Sequence, residues 1–85
     1  MISGQKILEY QSLWDRLAGA HFHRVDAEGV LEHQGIVEEV RDRNTLRVRY
    51  YSWIDSSPSK NDDLVCRLEL ERYRFYSSAT DMSRA

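Results

Sequence analysis

A single cysteine, Cys66, stands among the 85 residues, so the chain cannot close a disulfide within itself. That usage fits a reducing compartment. Leu64, Leu68 and Leu70 put Cys66 on an apolar stripe, which predicts a buried core thiol, and no base lies beside it in sequence to make it a nucleophile. Proline occurs once, at Pro58, and glycine four times, at positions 4, 19, 29 and 35. No G-x-x-x-x-G-K phosphate loop, G-x-G-x-x-G dinucleotide turn or G-x-S-x-G elbow is present, and no cofactor is implied. No apolar run is long enough to span a bilayer and no cationic start leads into one, so a cytoplasmic domain without membrane contact is expected. An excess of one charge is also missing: 12 Lys and Arg stand against 14 Asp and Glu, a net charge of −2 that does not mark a nucleic-acid binder.

The chain does have nine aromatic residues, two Trp, five Tyr and two Phe, enough for one small core. Residues 1–85 read as a single domain. Gln5 to Ala18 has the pattern of an amphipathic helix, with Ile7, Tyr10, Leu13, Trp14 and Leu17 recurring at three and four residues. Ser3 is placed to cap its start and Gly19 to stop it. After Gly19 the period changes to two. His21 to Val25 reads as a strand ending in the turn Asp26-Ala27-Glu28-Gly29, and Val30 to Val40 as a second strand, in which Gly35 suggests a bulge.

Arg41 to Asn44 makes the next turn. Along Thr45 to Ile54, Leu46, Val48, Tyr50 and Ile54 share one face, while Arg47, Arg49, Tyr51 and Trp53 share the other. A polar loop over residues 55–63 follows. Leu64 to Leu70 alternates, with Leu64, Cys66, Leu68 and Leu70 predicted inward and Val65, Arg67 and Glu69 outward. Tyr73 to Tyr76 is the last strand, and residues 77–85 form a polar tail with one helical turn at Ser78 or Thr80. One helix followed by five short strands predicts a mainly β fold, a small SH3-like five-stranded barrel over residues 21–76 with the N-terminal helix 5–18 packed on it. An open sheet with the helix across it is the rival.

Phe22, Gln34-Gly35-Ile36-Val37, Val48, Tyr51-Ser52-Trp53, Leu64-Val65, Arg74-Phe75-Tyr76 and Asp81-Met82 carry a resemblance. From Phe22 to Met82 the chain resembles a family of short proteins from bacterial mobile elements, which implies an SH3-like barrel and no activity. The Gln-Gly-Ile-Val stretch is also similar to the plasmid-borne type II dihydrofolate reductases, tetrameric SH3-like barrels with a Val-Gln-Ile-Tyr active-site motif on a later strand. That strand here reads Leu64-Val65-Cys66-Arg67-Leu68, so the motif is missing and reductase activity is not implied.

The best candidate site is the mixed face of Arg47, Arg49, Tyr51 and Trp53, with Arg67 nearby on another strand. Arginines interleaved with aromatics suit single-stranded nucleic acid, a peptide or a protein ligand. The competing reading pairs those arginines with Glu38, Glu39, Glu69 and Glu71 and lays Tyr51 and Trp53 against the N-terminal helix. His21 and His23 share a strand face but His33 falls on the other, so no metal is expected and the histidines are read as facing solvent. Glu38 and Glu39, adjacent on a strand, point to opposite faces and form no acid/base pair. The apolar bulk of Trp14, Tyr51 and Trp53 points to a non-catalytic interaction module that self-associates. The alternatives are a nucleic-acid-binding module and an enzyme whose site is shared between subunits.

Overall fold

In the computed structural model, residues 1–52, 57–59 and 61–83 are described. Strand β1 (Ile2–Ser3) leads into helices α1 (Gly4–Glu9) and α2 (Gln11–Asp15), followed by β2 (His21–Val25), β3 (Leu31–Val40), β4 (Thr45–Tyr51) and β5 (Asp63–Cys66). A 3₁₀ helix (Arg67–Arg72), β6 (Tyr73–Tyr76) and helix α3 (Ala79–Ser83) complete it. The turns are built from their own residues. The Asp26 carboxylate accepts the N–H groups of Glu28 and Val30, both at 2.9 Å, while Gly29 takes a φ of 84° that suits glycine. The Asp42 carboxylate accepts from the Asn44 N–H at 2.7 Å in the next turn.

The six strands form one antiparallel sheet in the order β1-β6-β2-β3-β4-β5. The mainly β architecture with an N-terminal helical segment packed on it is the one the sequence predicts. Its closure is not: β1 and β5 remain edges, and the closed five-stranded barrel is replaced by an open six-stranded sheet. The cause is local. β5 runs for only four residues before the chain tightens into the 3₁₀ helix, which packs on α1. Gly4 lies so close to the Leu70 carbonyl that no Cβ would fit. Helical turns, rather than strand pairing, join the two ends.

The expected single helix 5–18 is two helices. Ser3 caps α1 as predicted, its hydroxyl accepting the Lys6 N–H at 3.3 Å, but Tyr10 breaks the run with φ −135° and ψ 110°. A continuous helix would hold Tyr10 on the apolar stripe; the break turns it to solvent and lets Ile7, Trp14 and Leu17 all reach the core. There they cover the inner face of the sheet, which presents Phe22, Val37, Leu46, Val48, Val65, Tyr73 and Phe75. Gly35 is not a bulge. It stays in register between Phe22 and Tyr50, where an added Cβ would stand 2.9 Å from the Phe22 ring, and the register shifts fall instead between Val37 and Glu39 on the β4 side and opposite Arg24 and Val25 on the β2 side.

β5 has the opposite phase to the one its alternation predicts. Val65 pairs with Leu46 and is buried, whereas Leu64, Cys66 and Leu68 are exposed. Directly paired residues point to the same side of a sheet, so the inward Leu46 fixes Val65 inward. Tyr50 then ties the inner face together: its hydroxyl donates to Asp63 on β5 at 3.2 Å and hydrogen-bonds Tyr73 on β6. No helix among the described residues is long and apolar enough to cross a membrane.

Candidate interaction surface

Arg47, Arg49 and Tyr51 project from the outer face of β4, as their alternation with Leu46, Val48 and Tyr50 requires. The register places Ile36 across from Arg49 and Gln34 across from Tyr51. Arg49 is fully engaged. Its Nε donates to Glu38 at 2.8 Å, one terminal nitrogen to Asp62 at 2.7 Å and the other to the Ser59 carbonyl at 2.8 Å. Arg47 lies 3.6 Å from Asp62 and 3.9 Å from Glu39, which also meets Arg41 at 3.8 Å. Hydrogen bonding with Glu38, then the charges of Arg49 and Arg47, hold the Asp62 carboxyl below its ordinary range. The hydrogen bond with Glu38 and the nearby Asp62 charge strengthen Arg49's hold on its proton.

Three carboxylates thus meet the two candidate arginines of β4. Of the four glutamates the sequence offered as partners, Glu38 and Glu39 meet the arginines of β4, whereas Glu69 accepts the Cys66 N–H instead; Asp62, from the polar loop, was not among the four. The ionic cluster ties Asp62 to the strand, and nearby the Ser59 N–H donates to the Tyr50 carbonyl at 2.8 Å and Pro58 bridges to Tyr51.

Tyr51 does not cover the N-terminal helix, which packs on the inner face. It leans toward His21, ring centroids 6.1 Å apart, and the two line a groove of about 490 Å³ together with Gln34 and with Thr80, Met82 and Ser83 of α3. Trp53 lies outside the described residues. Arg67 does not join the Arg47 and Arg49 cluster. Its guanidinium sits 4.8 Å over the Trp14 ring and donates to the carbonyls of Leu8 and Arg43 at 3.2 and 3.3 Å. Trp14 itself is fully buried, its Nε1 donating to the Asp42 carbonyl at 3.0 Å, so its bulk needs no second chain to cover it.

The histidines separate. His33 pairs with Arg24 on the inner side and packs on Tyr50 at 4.8 Å between ring centroids, while His21 and His23 lie on the outer side. His23 does not face solvent: it is 6% exposed, its ring packed edge to face on that of the buried Tyr76. α3 supplies the cover, packing on β2 and β6, an arrangement that strand alternation alone could not reveal. Among the described residues no three His, Cys, Asp or Glu side chains gather to hold a metal ion.

The surface that sequence reasoning missed is the outer side of β5 and the start of the 3₁₀ helix. Leu64 is 52% and Leu68 85% exposed, with the exposed Cys66 between them. A signal for it was present. Glu69 stands three residues after Cys66, the spacing of a capping box, and its carboxylate accepts the Cys66 N–H at 3.0 Å while the Cys66 sulfur accepts the Glu69 N–H. That spacing marks a helix start after Cys66, which cuts the apparent strand short. Comparison with known proteins gave no matching family, curated protein or solved structure.

Proposed function

We propose that this chain is a non-catalytic interaction module that self-associates, and that Leu64, Cys66 and Leu68 form its contact surface. The observation that carries the reading is the outward phase of β5, which leaves two leucines and a thiol in water at a sheet edge. Apolar side chains gathered at an edge and rimmed by charge mark a protein contact, because burying them releases ordered water. Charge adjoins them in Arg47, which pairs with Leu64, and in Asp63 and Glu69, whose carboxylates accept the Leu64 and Cys66 N–H groups. The nucleic-acid alternative needs free guanidinium groups, whereas Arg49 is hydrogen-bonded to Glu38 and Asp62 and the charge of Arg47 is countered by Glu39 and Asp62.

Sedimentation velocity over a concentration series tests the proposal. The mean mass should rise with concentration in the parent chain and stay monomeric in Leu64→Asp and Leu68→Asp, both at exposed positions where the fold tolerates charge. A parent chain that remains strictly monomeric at millimolar concentration would overturn it.

A further inference from the structure

The edge strand beside that surface has an unusual feature in its backbone. The pairing of Val65 with Leu46, together with the Arg67 N–H bonded to the Asn44 carbonyl at 2.7 Å, sets the alternation of β5. Val65 and Arg67 direct their amides to β4, and Leu64 and Cys66 direct theirs outward, to the open edge. Neither outward amide is free. The Asp63 carboxylate accepts the Leu64 N–H at 2.9 Å, and the Glu69 carboxylate accepts the Cys66 N–H at 3.0 Å. Asp63 is held in place on its other oxygen by the Tyr50 hydroxyl. Each outward donor of this four-residue strand is covered by an acidic side chain from its own chain.

We infer that β5 is a guarded pairing edge, whose partner is β5 of a second copy and whose guards are Asp63 and Glu69. The inference rests on the self-association reading above and adds its geometry and its restraint. A second copy is the occupant that the pattern fits, because the edge is complementary to itself. An antiparallel two-fold contact centred on Val65 sets Leu64 of one protomer opposite Cys66 of its partner, so each outward amide meets an outward carbonyl. The same register lays the exposed Leu64 of each protomer against the exposed Cys66 of the other on the outer face. Two things oppose it: the amides are already satisfied, and the guards of both copies bring four carboxylates to one seam. Edge strands protected by charge resist pairing for this reason.

The test separates cap from charge. Asp63→Ala with Glu69→Ala frees both amides, whereas Asp63→Asn with Glu69→Gln removes the charge but leaves an oxygen to accept each N–H. Sedimentation should show the alanine pair associating about tenfold more tightly than the parent, or more, as the newly formed inter-strand hydrogen bonds allow. The Asn/Gln pair should stay closer to the parent. Slowed amide exchange at Leu64 and Cys66 in the associated state identifies the pairing strand. Glu69→Ala alone keeps the Tyr50–Asp63 bond and should give an intermediate gain, which guards against loss of fold in the double variant. An alanine pair no tighter than the parent overturns the guarded edge, as does an Asn/Gln pair that associates as tightly as the alanine pair. Loss of parent association in Leu68→Asp would still support the interaction module in that event, so the two ideas fail separately.

Discussion

Nδ1 of His23 lies 3.2 Å from the Tyr76 hydroxyl, and the two rings meet edge to face with centroids 5.0 Å apart in a buried setting. Burial, then the positive charge of Arg74, lowers the His23 pKa below its ordinary value. The folded chain therefore resists a proton that the unfolded chain accepts. Stability attributable to His23 is complete above the unfolded value of 6.5 and falls as pH drops from there toward the folded pKa, below which the loss levels off. The slope can reach about 1.4 kcal/mol per pH unit for one proton. Urea unfolding from about pH 8 to about pH 5 should show a decline in the parent chain that is flatter in His23→Gln. Parallel curves would rule out His23 as the source.

Arg67 joins three elements that are distant in sequence. It stacks on Trp14 and donates to the last turn of α1 through Leu8 and to the β3–β4 turn through Arg43. Its planar fork does both at once, which a lysine cannot. Arg67→Ala should cost about 1–3 kcal/mol in chemical denaturation, from the cation–π contact and the charge-assisted hydrogen bonds together. Arg67→Lys should recover less than half of that loss. Full recovery would mean that charge alone matters at this position.

What the sequence made legible was the alternation of β2, β3 and β4, because each has one side rich in Phe, Val and Leu and another rich in His, Glu and Arg. The turn at Asp26–Gly29 and the cap at Ser3 were equally readable, since their chemistry is local. Three features were not. Tyr10 suits the apolar stripe of a helix, and only the curvature of the core beneath explains the break there. The run Leu64, Cys66, Leu68, Leu70 looks like one inward face, yet Leu70, in the 3₁₀ helix, is its buried member, and the phase of β5 is decided by pairing with Leu46, a partner far away in sequence. The role of Asp62 depended on where a polar loop comes to rest. Arg47 and Arg49 were correctly placed on one face, but Arg67 lies apart on Trp14, and the engagement of Arg49 by Glu38 and Asp62 needed long-range neighbours.

Two glycines should respond to alanine for opposite reasons. At Gly35 the backbone is unstrained but there is no room, with the Arg49 carbonyl and the Phe22 ring in the way. At Gly19 there is nothing within 4 Å of an added Cβ, but φ is 87°. Gly35→Ala should lose about 2–3 kcal/mol through forced displacement of Phe22 in a close-packed core. Gly19→Ala should lose about 1 kcal/mol, the cost of a left-handed backbone for a residue with a Cβ. Thermal or urea unfolding checks both, and equal losses would contradict the packing assigned to Gly35.

The phase of β5 has a direct chemical reporter in Cys66. A thiol on the inner face would be labelled only through unfolding, at a rate that denaturant accelerates steeply. On the outer face it is open to reagent in the folded chain. A bulky maleimide should therefore modify Cys66 stoichiometrically in dilute native protein, with a rate that barely changes at low urea. Raising the protein concentration should slow the reaction if Leu64, Cys66 and Leu68 are the surface buried on association. Labelling that requires unfolding at every concentration would return Cys66 to the core, reverse the strand's phase and remove the contact surface with it.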